Sequence, residues 1–214
     1  IINNIIMLYI IDHPLIKIKL TEMRSENTSH KQFRTNLNEI ASLMVYEILR
    51  DYKTKDLEVR TPLGINTVGK TFNHEIVIIP ILRAGLGMVQ GILDLVPQAR
   101  VGHIGLYRDE QTFEPKEYFY KTPQEISKND SDVLVVDPML ATGNSANDAI
   151  SKLKIEGWKN IKLICLVGVD KGINKILSNH PDVNIYLASK DEKLNENNYI
   201  SPGLGDAGDR IFGT

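Results

Sequence analysis

The chain has 214 residues, 42% of them hydrophobic and 24% charged, a globular balance that suits one large domain, 1–214, with a sizeable core. A net charge of −2 offers no basic field for nucleic acid or an anionic membrane surface. The single cysteine, Cys165, excludes an internal disulfide and fits a reducing, cytoplasmic compartment.

The first stretch, IINNIIMLYII, is apolar but has no basic start and no small-residue cleavage site, and it is too short to span a bilayer. Met7 reads as a natural start, and residues 1–11 are expected to be an extraneous or flexible N-terminus. From Lys31 to Tyr52, Phe33, Leu37, Ile40, Met44 and Ile48 recur every three or four residues, a helical stripe. A polar stretch leads to Glu75–Ile81 (EIVIIPI), an apolar run of strand length that suits burial on both faces. Glycines at 85, 87 and 91 precede an expected helix ending near Leu95, and Val101–Leu106 reads as another strand. Tyr107–Tyr120 is polar and aromatic, as in an exposed hairpin or flap.

Asp132–Val136 (DVLVV) is again a buried-type strand, followed by a short loop and a helix from about Ala146 to Ile155. Ile161–Val167 (with Cys165 as a small buried hydrophobe), a helix near Asn174–Leu177 and Val183–Ala188 repeat the alternation. The expected fold is therefore α/β, a doubly wound, mostly parallel sheet flanked by helices. Ligands of such sheets bind beyond the carboxyl ends of the strands, which directs attention to the loops starting at Arg83, Arg108, Asp137 and Asp170.

Two familiar phosphate motifs fail on context. Gly64–Thr71 (GINTVGKT) matches the P-loop pattern, yet a proline and charges precede it and no helix can follow before the strand at Glu75. A polar turn between strands is the better reading. Gly203, Gly205 and Gly208 spell GxGxxG, but only six residues follow, too few for a βαβ unit. By composition alone, PGLGDAGDR reads as a floppy tail.

Val135–Ala146 (VVDPMLATGNSA) carries the most chemistry. A buried strand delivers Asp137 at its carboxyl end, and Thr142, Gly143, Asn144 and Ser145 form a hydroxyl-rich turn onto a helix. Such a turn suits either a surface helix capped by Ser145 or Thr142, or a phosphate cradle of backbone amides and hydroxyls at a helix N-terminus. Asp137, placed to meet the hydroxyls of an attached sugar, favours a sugar phosphate.

This stretch resembles the phosphoribosyl pyrophosphate signature of type I phosphoribosyltransferases, with Pro138 where many members have a second acid. DPMLATG looks like the uracil phosphoribosyltransferase branch. HPLIKIKL with EMR, PILRAGLGM at 80–88, YRDE at 107–110 and YISPGLGDAGDRIFGT agree, so that the resemblance runs from Asp12 to Thr214. It implies the type I phosphoribosyltransferase fold, with a β-hairpin flap and a C-terminal base-binding loop, and an enzyme that joins phosphoribosyl pyrophosphate to uracil. It places the 5-phosphate and ribose on Asp137, Pro138, Met139, Leu140, Ala141, Thr142, Gly143, Asn144 and Ser145, and the pyrophosphate on Arg83 and Arg108. Uracil would meet Ile200, Gly205, Asp206 and Ala207, with Asp206 also near the phosphoribosyl group. Asp137, Arg83 and Asp206 are the implied catalytic residues.

The resemblance also implies Mg²⁺, bound largely through substrate oxygens and water, a homodimer or larger homo-oligomer, and GTP as an effector in some members. A regulator of the same fold that binds RNA, or an enzyme for another base, are the alternatives; the acidic balance opposes the first and PGLGDAGD the second. In two places the chain departs from the family pattern. Asn144 stands for a second glycine, where tolerance of left-handed angles would preserve the cradle. Val169-Asp170-Lys171-Gly172 stands for Ala-Pro-Glu-Gly and removes a proline that would stiffen the loop.

Overall fold

The computed structural model describes residues 7–108 and 115–214. In chain order the elements are β1 (Leu8–Ile10), α1 (Pro14–Arg24), α2 (His30–Ile48), β2 (Thr54–Arg60), β3 (Asn66–Phe72), β4 (Glu75–Leu82), α3 (Leu86–Leu95), β5 (Arg100–Val101), β6 (His103–Arg108) and β7 (Pro115–Lys121). They continue with β8 (Ser131–Val136), β9 (Met139–Leu140), α4 (Asn144–Ile155), β10 (Asn160–Gly168), α5 (Asp170–Asn179), β11 (Asn184–Lys190), β12 (Lys193–Leu194), β13 (Ile200–Ser201) and α6 (Ala207–Phe212).

The main sheet runs β1-β11-β10-β8-β4-β6-β7, parallel throughout except that β7 returns antiparallel to β6. This is the expected α/β architecture. Alternate residues of each central strand feed opposite cores, as the two-residue strand period requires. Ile76, Ile78, Leu134, Val136, Ile164 and Leu166 face the layer built by α1, α2, α3 and α6. Val77, Ile79, Val133, Val135, Leu163 and Cys165 face α4 and α5. Burial on both faces is why these strands read as continuous apolar runs.

Helix α2 buries the whole stripe of Phe33, Leu37, Ile40, Met44 and Ile48, and starts where the Ser29 side chain accepts the Gln32 N–H at 3.2 Å. Helix α1 has no clean stripe in the sequence. Ile16, Leu20 and Met23 are buried while Leu15 and Ile18 stay exposed, which masks the period. Its start is set by Pro14 in the first turn and by His13, whose Nδ1 accepts the Leu15 N–H at 3.2 Å.

Three expectations change. Residues 8–10, expected to be flexible or extraneous, form an edge strand: Leu8, Tyr9 and Ile10 pair with Ile185, Tyr186 and Leu187, and the Tyr9 and Tyr186 rings stack at 4.8 Å. The stretch GINTVGKT is more than a polar turn, since Asn66–Phe72 is itself a strand of the exposed β2–β3 hairpin. Lys70 there pairs with Asp56 across the ladder, and no helix follows. The C-terminus, read from composition as a tail, ends in helix α6. The expected flap corresponds to β6 and β7, and its tip, 109–114, lies outside the described residues.

Candidate active site

Because the central strands are parallel, the carboxyl ends of β4, β6, β8 and β10 lie along one edge of the sheet. Arg83 follows β4, Arg108 ends β6, Asp137 follows β8, and Asp170 lies two residues past β10. Only the backbone place of Arg108 is described; its side chain lies outside the described residues.

A cavity of about 350 Å³ opens at this edge. Asp137, Met139 and Ala141 form one wall, and Ile200, Gly205, Asp206 and Ala207 form the facing wall. Seven residues assigned from the sequence thus converge across one space from segments about 60 positions apart. Ala84, Asn197, Asn198, Tyr199 and Gly208 line it as well, and none of them carries a site role in the sequence reading. The Asn-Asn-Tyr run beside the glycine loop was the available signal: Asn198 takes φ 61, the turn conformation that asparagine tolerates.

Asp137 is half-buried, and one of its oxygens accepts the Met139 N–H at 3.3 Å. Among the described residues no cation pairs with it. Burial therefore pushes its carboxyl up to about 7, against a smaller downward pull from the Met139 amide. Buried Cys165 feels the same environment: burial and then the Asp137 carboxylate push its thiol up.

Pro138 and Leu140 do not line the cavity. The Pro138 carbonyl accepts the N–H groups of Leu166 and Val167, each at 3.0 Å, and Leu140 is buried and pairs along β10. They shape the loop while their neighbours Asp137, Met139 and Ala141 face the open space.

Beyond the cavity wall, Thr142–Ser145 turn the chain into α4. Gly143 is the N-cap, at φ +79, and no side chain caps the helix. Thr142 Oγ1 makes only a long 3.5 Å contact with the Asn144 N–H. Of the two readings of this turn, the cap by Ser145 or Thr142 does not form, and the first amides of α4 remain open to an anion. Asn144 departs from its expected role, since the helix begins there and the left-handed residue is Gly143. The Asn144 side chain turns instead to α5, where its oxygen accepts from Lys175 Nζ.

The loop expected to need a proline is ordered another way. Val169 caps α5 and Asp170 opens it, with Asp170 paired to Lys190 at 2.7 Å. Gly172 then packs beneath the α4 turn, where a Cβ would come within 2.7 Å of the Ala141 oxygen.

Arg83 stands beside the cavity rather than in it. Its Nη2 lies 3.1 Å from Asp209 Oδ1, and its guanidinium sits over the Phe212 ring at 5.7 Å. Asp206 caps α6, one oxygen accepting the Asp209 N–H at 2.9 Å. Both implied catalytic residues outside the β8 loop are therefore tied to α6. Among the described residues no group of three or more His, Cys, Asp or Glu side chains could hold a metal.

The uracil phosphoribosyltransferase family model matches residues 10–214. The chain is 71% identical over 208 residues to a uracil phosphoribosyltransferase of Metamycoplasma arthritidis, covering 97% of this chain and 99% of that one. It is 70% identical over 208 residues to another from Mycoplasma mobile, covering 97% and 100%. Among solved structures, a protein from Aquifex aeolicus superposes with a TM-score of 0.89 at 39% identity, covering 96% of this chain and 98% of its own. With a matching family model over nearly its whole length, the chain belongs to the uracil phosphoribosyltransferase family.

Proposed function

We propose that this protein is a cytoplasmic enzyme that transfers the 5-phosphoribosyl group of phosphoribosyl pyrophosphate to uracil, giving UMP and pyrophosphate. The observation that carries this reading is the shared cavity, with the Asp137–Ala141 segment on one side and the Ile200 and Gly205–Ala207 loop on the other. The open amides of α4 suit the 5-phosphate, and Asp137, seven residues before that helix, lines the cavity together with the base loop.

Leaving of pyrophosphate builds positive charge on the ribose ring and negative charge on the departing group, so the protein's contribution is mainly electrostatic. The ribose hydroxyls donate to Asp137, which favours its ionised form beside the cationic ring. Arg83 and Arg108 answer the charge on pyrophosphate, Arg83 by exchanging Asp209 for the leaving group. Asp206, which caps α6 and lines the base side of the cavity, is a candidate acceptor for the uracil N1 proton. Isolated carboxylates suit a Mg²⁺ that is held by substrate oxygens and water, with Asp137 and Asp206 as the hard donors at hand. Bound in that way, Mg²⁺ supplies neutralisation of pyrophosphate charge.

The deciding experiment is phosphoribosyl pyrophosphate consumption with Mg²⁺ against a panel of free bases. Turnover of uracil alone is expected; turnover of a different base would overturn the reading. Arg83→Ala is expected to lower kcat/KM by about 10²-fold, the scale of one lost preorganised contact, and near-normal kinetics would remove it from the mechanism. Lys70→Ala is expected to leave UMP synthesis intact, because Lys70 is spent on Asp56 in the hairpin. Loss of activity in a folded variant would revive the P-loop reading.

We also infer a homo-oligomer, supported by the apolar side chains Leu57, Val59, Leu63, Ile65 and Val68 exposed around the β2–β3 hairpin. Light scattering of the purified protein tests it. Stimulation by GTP rests on the family resemblance, and assays with and without GTP test that.

A further inference from the structure

The loop that faces Asp137 is short and glycine-rich, and the small β12–β13 pair next to it is separate from the main sheet. Such a segment does not hold its own shape. Behind the cavity it is held by a part-buried ion pair.

Arg24, the last residue of α1, meets Asp191, just past β11, in a two-pronged contact: Nη1 to Oδ2 at 2.7 Å and Nη2 to Oδ1 at 2.6 Å. The Asp191 side chain is only 3% exposed. Both partners then grip one residue of the loop. Arg24 Nη1 also donates to the Gly203 carbonyl at 2.6 Å, and the Gly203 N–H donates to Asp191 Oδ2 at 2.9 Å. Ser189 Oγ completes the set, donating to Asp191 Oδ1 at 3.1 Å and lying 3.3 Å from Arg24 Nη2. Next in the chain, the Leu204 carbonyl accepts from Arg210 Nη1 at 2.8 Å, and Arg210 Nη2 donates to the Ser25 carbonyl at 2.6 Å.

Two successive carbonyls are thus drawn away from the cavity into guanidinium groups. Gly203 and Leu204 do not line the cavity, whereas Ile200 before them and Gly205–Gly208 after them do. The turn is tight as well: at Gly203, with φ +63, a Cβ would come within 2.0 Å of the Ile200 oxygen. A side chain there would collide with that carbonyl, and the loop's Gly203 N–H, Gly203 carbonyl and Leu204 carbonyl are all engaged behind the cavity.

We propose that Arg24 and Asp191 are positioning residues for base recognition, fixing the backbone edge that Ile200 and Gly205–Ala207 present to the pyrimidine. Neither touches the cavity, so they act through Gly203. The proposal rests on the uracil reading above. The bidentate geometry makes arginine and lysine unequal here, since lysine offers a point charge in place of a fork.

The test compares wild type with Arg24→Ala, Arg24→Lys and Asp191→Asn in steady-state kinetics, varying uracil and phosphoribosyl pyrophosphate separately. Amide hydrogen exchange on each protein supplies a second readout. The expected result is a rise in KM for uracil of about 10- to 100-fold, the scale of a small misplacement of binding groups, with KM for phosphoribosyl pyrophosphate within about twofold. Arg24→Lys is expected to fall between. Exchange should rise in residues 200–208 and stay unchanged in 137–145. Equal rises in both KM values, or unchanged exchange at 200–208, would overturn the proposal. Failure of all three variants to fold would overturn it too, by making the pair a general requirement of the fold. If wild type turns over no uracil, the uracil reading fails, and the exchange pattern still decides whether Arg24 and Asp191 hold the loop.

Discussion

Asp137→Asn is expected to lower kcat/KM for UMP synthesis by at least about 10²-fold while making the substrate-free protein more stable at alkaline pH. The two effects share one cause. Asp137 sits where burial pushes its carboxyl up to about 7, from an ordinary value of 3.8. The folded chain therefore keeps this proton up to near neutrality, whereas the unfolded chain releases it near pH 4. Between those values the folded state binds more protons, so stability is full below about pH 4 and is lost as pH rises towards and through 7. Above 7 the half-buried carboxylate is charged with no cation beside it among the described residues, a cost on the order of 1 to 3 kcal/mol. Asparagine is nearly isosteric, keeps an oxygen for the Met139 amide, and never carries the charge.

Melting curves of wild type and Asp137→Asn at pH 5 and pH 8 check this directly. The curves should approach one another at pH 5, and the variant should melt several degrees higher at pH 8. Equal melting temperatures at both pH values would show that the carboxylate bears no burial cost. Near-normal kinetics would take Asp137 out of the mechanism. Ribose hydroxyls that donate to Asp137 pull its pKa back down, so binding of phosphoribosyl pyrophosphate below pH 7 should release a proton, measurable as a buffer-dependent heat in calorimetry.

Gly143→Ala is expected to cost the fold about 1 to 3 kcal/mol and to lower kcat/KM by about 10²-fold or more, with KM for phosphoribosyl pyrophosphate carrying much of the loss. Gly143 holds φ +79, a conformation that L side chains rarely adopt. An added Cβ would also come within 2.9 Å of the Gly172 oxygen and 3.0 Å of its Cα. Those atoms are backbone of α5, packed against the Leu140–Ala141 carbonyls, and they have no flexible end to give way. Relief would shift the turn that opens α4 and with it the amides offered to the 5-phosphate. Chemical denaturation together with kinetics at varied phosphoribosyl pyrophosphate checks both parts; unchanged values in both would show that the turn tolerates a side chain. Asn144, by contrast, is helical and points its side chain towards Lys175, so it sits where a family glycine can be replaced without strain.

Much of this protein is legible in its residues taken one after another. The EIVIIPI and DVLVV runs specify strands because burial on both faces demands unbroken apolar sequence, and Phe33 to Ile48 specify a helix because one face repeats every 3.6 residues. Alternation of such segments sets the parallel sheet, and the sheet sets where a ligand binds, so Asp137 and the turn after it could be singled out locally. The base loop is of a different kind. Nothing local distinguishes PGLGDAGDR from a tail, because what orders it comes from Arg24, 179 positions before Gly203, and from Asp191. The raised pKa of Asp137 follows from burial in the folded chain, and the strand made by residues 8–10 depends on β11 beside it. Local pattern decided the elements and the phosphate turn, because steric and hydrophobic periods act over a few residues. Tertiary structure alone decided the rigidity of the base loop and the charge state of its facing acid, because burial and paired charge exist only once distant segments have met.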